Sequence, residues 1–268
     1  MRVFDFNSAI VRRPGKSVVD GLRANAGPSP TYTAVLAEHE AYVAALQAAG
    51  VQVQVLTPLE SFPDSIFVED PALVFSEAAI LLRPGAPSRI GEAQELASAL
   101  EARFPKVLRL PEGYADGGDI LVTRDRVLIG LSARTNDTGA KELQKLLASI
   151  GRDSRIVNTP RGTLHLKSDC SLIDENTVLA TEGLAGSGIL AGLRIIVVPP
   201  EERQAANALR INDVVFLNAD CSRTLESVSR LGLAVVPLKV SEIARIDAGL
   251  SCMSLRWFAP SPDSSTAR

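Results

Sequence analysis

The chain is poor in the residues that build metal centres and disulfide frameworks. Its 268 residues hold three cysteines, Cys170, Cys221 and Cys252, and two histidines, His39 and His165. An odd, sparse cysteine count makes a poor disulfide framework and suits a reducing compartment. No Cys/His pairs stand at zinc-ligand spacing, so neither a transition metal nor another cofactor is expected. Long apolar runs are also missing: the most hydrophobic stretches are cut by Arg, Pro or Asp before they could span a bilayer. The opening MRVFDFNSAIVRRPG is no secretory leader, because Asp5 and Asn7 break its apolar run and Arg12 and Arg13 follow. Excess charge of one sign is absent too. The net charge is −3 and the pI about 5.6, with Lys and Arg scattered, which gives nucleic acid no electrostatic footprint. A cytoplasmic location is the expectation.

What is present is an ordinary globular balance. Hydrophobic residues make up 46% and charged residues 22%, enough apolar material for a buried core. Only the end, APSPDSSTAR, has a disordered composition, so one domain over 1–258 and a flexible tail over 259–268 are expected. Val35, Leu36, Tyr42, Val43 and Leu46 share one face of a helix that stops at Gly50. VQVQVL at 51–56 alternates as a strand, and strand-like runs follow at 66–68, 72–75 and 79–82. The pattern returns as a helix over 91–103 with strands at 107–110, 119–123 and 127–130, then a helix over 138–150 with strands at 155–157, 170–173 and 178–180. A less regular unit has a short helix at 184–190 and strands at 194–198 and 214–217; the last has a helix at 223–231 and strands at 234–238 and 253–258. These are five helix–strand–strand–strand units of unequal length. The fifth lacks its final strand, which Ser8–Arg13 could supply, closing a ring. A generic α/β sandwich is the alternative.

A ring gathers loops at its centre, and four polar segments stand at the starts of strands. They are SFPDSIFVED, YADGGDI, LHLKSDCS and RIDAGLSCMS. Cys252 in the last of these is either a small buried hydrophobe or a thiolate nucleophile, and the second role needs a histidine or a cationic surrounding. His39, between Glu38 and Glu40, reads as a solvated helix residue. His165, between two leucines at a strand entry, is either a half-buried polar residue or the partner of the thiol. Asp64, Glu69, Asp70, Asp116, Asp119 and Asp247 are too many carboxylates for apolar strand edges unless they face cations. Some serve as turn formers, as Asp119 after Gly117-Gly118 would. Two or three aimed into one pit would receive a guanidinium, whose planar N–H forks match carboxylates. No Walker A loop or dinucleotide fingerprint occurs. Arg89 lies in a Pro-Gly turn and Arg134 in GLSARTN. Each is a surface arginine by default, though a rigid turn can hold such a side chain for bidentate carboxylate binding.

FPDSIFVED, LLRPGAPSR, DGGDIL, GLSARTN, LHLKSDCS and IDAGLSCMS, in this order, resemble the successive motifs of the dimethylarginine dimethylaminohydrolases. That family sits in a guanidine-modifying group with the arginine deiminases and amidinotransferases. The likeness runs from about residue 9 to 256 and implies a five-bladed, pseudo-symmetric α/β propeller of the pentein type. It implies that Cys252 is the nucleophile, His165 the general acid/base and Asp116 the carboxylate orienting it. It makes Asp64, Glu69 and Asp70 substrate-binding acids, with Asp70 facing the guanidinium. Arg89 and Arg134 would hold the substrate α-carboxylate. Leu22 would lie in a mobile loop over the substrate, and Ile246 (through its backbone) and Asp247 beside the bound amino acid. Met253 and Asp169 depart from the pattern, and segment 181–213 resembles the family poorly, so no site is expected there.

The implied reaction is hydrolysis of N-omega-methylated arginine to citrulline and an amine through a covalent S-alkylthiouronium on Cys252. An arginine deiminase or another guanidine hydrolase is the nearest alternative, and a non-catalytic amino-acid-binding protein is another. The expected partners are a small-molecule substrate and, in assembly, a second copy of the chain, with neither nucleic acid nor membrane.

Overall fold

The structure is a computed structural model that describes residues 2–24 and 27–260. Fifteen strands fall into five three-stranded sheets. In chain order the elements are β1 (Ser8–Arg12), α1 (Tyr32–Ala48), β2 (Gln52–Leu56), β3 (Ala72–Val74), β4 (Ala79–Leu81), α2 (Glu92–Glu101), β5 (Val107–Arg109), β6 (Ile120–Val122), β7 (Val127–Leu131), α3 (Asp137–Ala148) and β8 (Ser154–Asn158). They continue as β9 (Cys170–Leu172), β10 (Thr177–Ala180), α4 (Glu182–Ala185), β11 (Arg194–Val197), β12 (Leu209–Ile211), β13 (Val214–Asn218), α5 (Ser222–Ser229), β14 (Ala234–Leu238) and β15 (Leu255–Trp257).

Each sheet is one blade. A short inner strand pairs antiparallel with a middle strand, which pairs parallel with an outer strand after a helix crossover, as in β6-β7-β8. The parallel pairing requires that crossover, because two parallel neighbours cannot be joined by a tight turn. The fifth blade closes the ring: β1 lies between β15, antiparallel, and β2, parallel. The protein is therefore a single-domain, five-bladed α/β propeller. Middle strands such as β10 are buried along their length while outer strands such as β2 expose every few residues. This is the burial expected of strands covered on both faces in the centre of a sheet and on one at its rim.

Local chemistry explains the element ends. The Asn136 side chain caps α3 by accepting from the Gly139 N–H at 2.8 Å. Past the end of α3, Gly151 takes φ 74°, the left-handed turn that a helix stop favours. Five apolar clusters fill the spaces around the blades, one built on Tyr42, Leu46, Phe216 and Met253. Among the described residues no helix is long and apolar enough to cross a membrane.

Three expectations differ from the structure. The run at 66–68 is a set of turns, not a strand, because it carries the chain around Asp64 and Asp70. Strand β12 at 209–211 was missed: three residues are too few to show a period. The tail expected from 259 does not include Ala259 itself, which exchanges two hydrogen bonds with the Asn7 side chain at 2.7 and 2.8 Å. Residues 261–268 lie outside the described residues.

Candidate active site

The five inner strands run in the same sense along the ring axis, so the segments leading into them meet at one end. Glu69 and Asp70 precede β3, Asp116 to Asp119 precede β6, His165 and Lys167 precede β9, Asn207 precedes β12, and Cys252 precedes β15. Gly118 lets two of these segments touch. A Cβ there would stand 2.8 Å from His165 Cγ and 2.9 Å from Asp70 Oδ1. The Gly118 N–H instead donates to Asp70 Oδ1 at 3.0 Å.

His165 is buried and its Nε2 lies 3.0 Å from Asp116 Oδ2. Asp116 is fully buried and its other oxygen accepts from the Gly85 N–H at 2.7 Å, which fixes the carboxylate and through it the ring. Burial disfavours a charged imidazole, but Asp70, the Asp116 hydrogen bond and Asp119 outweigh it and raise the His165 pKa to about 9. Asp119 accepts from Ser132 Oγ at 2.6 Å, Thr135 Oγ1 at 2.7 Å and the Leu166 N–H at 2.9 Å, tying the histidine segment to the neighbouring loop.

Cys252 is half-buried in a 3-10 turn, Ser251–Met253, and its carbonyl accepts from the Glu69 N–H at 3.1 Å. Burial, then the charges of Glu69 and Asp70, push its thiol up to about 12. Asp70 thus raises both pKa values, favouring imidazolium over thiolate in the free site. Its own carboxyl is held low: His165 and Arg89 outweigh the opposing effect of burial.

Glu69 is the hub beneath the nucleophile. Its carboxylate meets Lys167 Nζ at 2.6 Å, Arg256 Nη2 at 2.8 Å and Ser251 Oγ at 2.9 Å. Asp70, Asp116 and His165 bring one donor atom each within 4.8 Å of one another, a grouping that could chelate a metal. Those atoms are already committed to each other, to Arg89, to Gly118 and to Gly85. An anionic pit with a raised imidazole and a thiol suits an organic cation that is attacked at carbon.

A family model described as N,N dimethylarginine dimethylhydrolase, eukaryotic, matches residues 29–159. The dimethylarginine dimethylaminohydrolase of Pseudomonas aeruginosa is 39% identical over 94% of this chain and 100% of its own length. The chain belongs to the dimethylarginine dimethylaminohydrolase family. The enzyme of Streptomyces coelicolor is 32% identical over 92% of this chain and 96% of its own. The solved P. aeruginosa enzyme, a cysteine-to-serine mutant with citrulline, superposes with a TM-score of 0.91 and covers 94% of this chain and 100% of its own. The N-terminal domain of a cyanobacterial arginine dihydrolase shares the fold, with a TM-score of 0.83, 18% identity, and coverage of 94% of this chain and 99% of that one.

In this dimethylarginine dimethylaminohydrolase family member the remaining expected residues are linked to one another by the contacts that follow. Asp64 is buried and accepts from the Leu22 N–H at 3.0 Å. Burial raises its pKa against the pull of Arg89 and of that hydrogen bond. Asp247 adopts φ 54° and accepts from the Ala24 N–H. Ile246 is buried, and a Cβ on Gly21 would stand 3.1 Å from its Cγ2. The segment around Leu22 is therefore pinned by carboxylates at two points. Arg134 is half-buried and its side chain makes no ion pair among the described residues. Arg89, expected at the substrate α-carboxylate, has several protein partners. It is buried, pairs with Asp70 and with Glu92, and reaches the carbonyls of Asp64 at 3.3 Å and Phe67 at 3.0 Å. These bonds hold Asp70 in place and leave one η1 hydrogen of Arg89 unassigned.

Asn207 was missed. Its Oδ1 accepts from the Ser251 N–H at 3.0 Å, its Nδ2 donates to the Lys167 carbonyl at 2.9 Å, and Nδ2 stands 4.0 Å from Cys252 Sγ. Reading β12 at 209–211 would have found it, because Asn207 then occupies the offset of Asp70 and Gly118 two residues before an inner strand. His39 is the reverse case: expected in solvent, it is buried, with Nε2 lacking a partner. Asp169, out of pattern in sequence, binds Arg203 at 2.9 Å and Thr163 at 2.7 Å.

Proposed function

We propose that the protein hydrolyses the C–N bond of N-omega-methylated arginine to give citrulline and dimethylamine or methylamine. The observation that carries this is the pairing of a half-buried thiol, Cys252, with a raised imidazole, His165, around one carboxylate, Asp70, that acts on both. A protonated guanidinium is resonance-stabilised and a poor electrophile. Asp70, whose two oxygens each accept one hydrogen bond from the protein and keep a further lone pair, accepts its N–H fork and orients its central carbon toward sulfur. The incoming cation offsets the negative charges of Glu69 and Asp70 that hold the thiol protonated, so binding itself favours the thiolate.

The thiolate adds to the central carbon. The tetrahedral adduct then loses its amine, which takes the proton of the His165 imidazolium because an unprotonated amine leaves badly. The result is an S-alkylthiouronium on Cys252 and a neutral His165. His165 next takes a proton from water, whose oxygen adds to the same carbon. The C–S bond breaks, releasing citrulline, the thiolate and one proton. Asp116 holds the ring through Nε2, which leaves Nδ1 clear of that pairing for the transfer. Arg134 is the residue with free donors for the substrate α-carboxylate, and Leu22, Ile246 and Asp247 line the amino-acid end. The unpaired thiols of Cys170, Cys221 and Cys252 support a reducing location such as the cytoplasm.

Citrulline release from dimethylarginine, monomethylarginine and arginine, assayed side by side, tests the reading. Turnover of the methylated substrates is expected, with loss of at least about 10³-fold in Cys252→Ser and in His165→Ala while the circular dichroism and melting curve persist. Substantial citrulline from either folded variant would remove that residue from the mechanism. Preferred turnover of plain arginine would make the protein a deiminase.

A further inference from the structure

At the other end of the inner strands from Cys252, the axis of the ring holds a cavity of about 310 Å³. The inner strand of every blade lines it. So do Glu69, Lys167 and Ser251 of the layer beneath the nucleophile, but Cys252, His165, Asp70 and Asp116 do not. The cavity wall is cationic. Arg2 is paired with Asp5 and Asp213, Arg152 with Glu77, and Lys167 and Arg256 share the single carboxylate of Glu69.

Arg210 on β12 lacks such a partner. The residue is 7% exposed, and its Nε donates to the Asn212 carbonyl at 2.7 Å. Its Nη1 is buried with no hydrogen-bond partner. Among the described residues no carboxylate lies within 4.0 Å of it, and Asp213, Asp174 and Asp5 act on it only from farther off. Its guanidinium stands 5.1 Å from the Phe4 ring centroid, and that of Arg2 stands 5.0 Å from the same ring, so two like charges crowd one aromatic. On the next blade Arg256 Nε, also a wall residue, is a second buried donor without a partner. A buried cation with neither counter-ion nor full hydrogen bonding is destabilising, and a cavity beside it gives room for an anion.

We propose that this axial cavity binds a small oxyanion, drawn to the guanidinium of Arg210 on its wall, whose planar N–H edge suits carboxylate and phosphate. A cavity of this volume is in the range of small-molecule sites. Arg256 ties this cavity to the nucleophile turn, since its Nη1 donates to the carbonyls of Ser251 at 2.9 Å and Ser254 at 2.6 Å.

The test is a calorimetric titration of the full chain at constant ionic strength with phosphate, succinate and benzoate, with chloride as the reference. One saturable site per chain is expected for phosphate or for a carboxylate, and which probe saturates it distinguishes the two sources. Arg210→Met should weaken binding by at least about tenfold, and Arg210→Lys, which keeps charge but not the fork, by less. Citrulline production should stay within about twofold in both variants, which also reports that they fold. The proposal is overturned if none of the anions binds saturably below about 10 mM. It is equally overturned if binding is unchanged in Arg210→Met and Arg210→Lys, or if citrulline competes with the anion and so places it in the catalytic pit.

Discussion

At the scale of single residues the site rests in the unreactive protonation pair. Cys252 is pushed to about 12 and His165 to about 9, so the free protein near neutrality holds thiol and imidazolium. Attack needs thiolate and imidazolium together. Below the His165 pKa that fraction grows about tenfold per pH unit, and it falls again above the thiol pKa. The kcat/KM for dimethylarginine is therefore expected to climb still between about pH 7 and about pH 8.5. A plateau reached by about pH 6 would show that the free protein already carries a thiolate. His39 titrates in the opposite sense. Burial, then Arg13, depress its pKa from 6.5 to about 4. The unfolded chain binds the proton more readily, so stability rises with pH from about 4 to about 6.5 and is lost as pH falls through that window, by about 3 kcal/mol in all. A His39→Gln variant should show a flatter pH dependence of its urea midpoint over that range. An unchanged slope would mean that His39 is solvated.

At the scale of elements, function is carried by the residues just before each inner strand, and this register was only partly legible. DGGDI and LHLKSDCS were visible because polar residues stand beside apolar strand entries. The corresponding segment of the fourth unit was not, since β12 is three residues long and follows an irregular 3-10 stretch, Pro200–Ala206. Asn207 acts there as a positioning residue: it links the turn of the nucleophile to the Lys167 carbonyl. Asn207→Ala leaves the buried Ser251 N–H without its acceptor, a loss of about 1–3 kcal/mol. The variant should fold with a lower melting temperature and lose kcat by about tenfold or more with a smaller change in KM. Asn207→Asp, which keeps the acceptor but adds charge near sulfur, should raise the thiol pKa further, read as slower alkylation of Cys252 at fixed pH. Wild-type kcat and alkylation rate in both variants would leave Asn207 without a role in the site.

At the scale of the whole molecule, the ring is closed by its two termini. Strand β1 is the middle strand of its blade and carries both pairings, three residue pairs to β15 and five to β2. Residues 2–12 also bring Ile10 and Val11, both fully buried, into the core. Their deletion removes the centre of a sheet and strands the segment bearing Cys252 on an unpaired edge. The truncated chain is expected to show no cooperative melting transition and no citrulline production. A folded, active truncation would mean that four blades and an open gap suffice.

Sequence alone determined the elements with strong periodicity and the repeat of five units, while the likeness of six ordered motifs pointed to the ring, to Cys252 and to His165. These are properties of local pattern and composition, and they need no knowledge of what touches what. The tertiary structure decided the rest. It buried His39, turned Arg89 toward Asp70, put Asn207 beside the nucleophile and left Arg210 facing a cavity without a counter-ion. Each of these depends on which side chains meet across blades far apart in the chain, and the pKa or pairing of a charged group is set by those neighbours rather than by its place in the sequence.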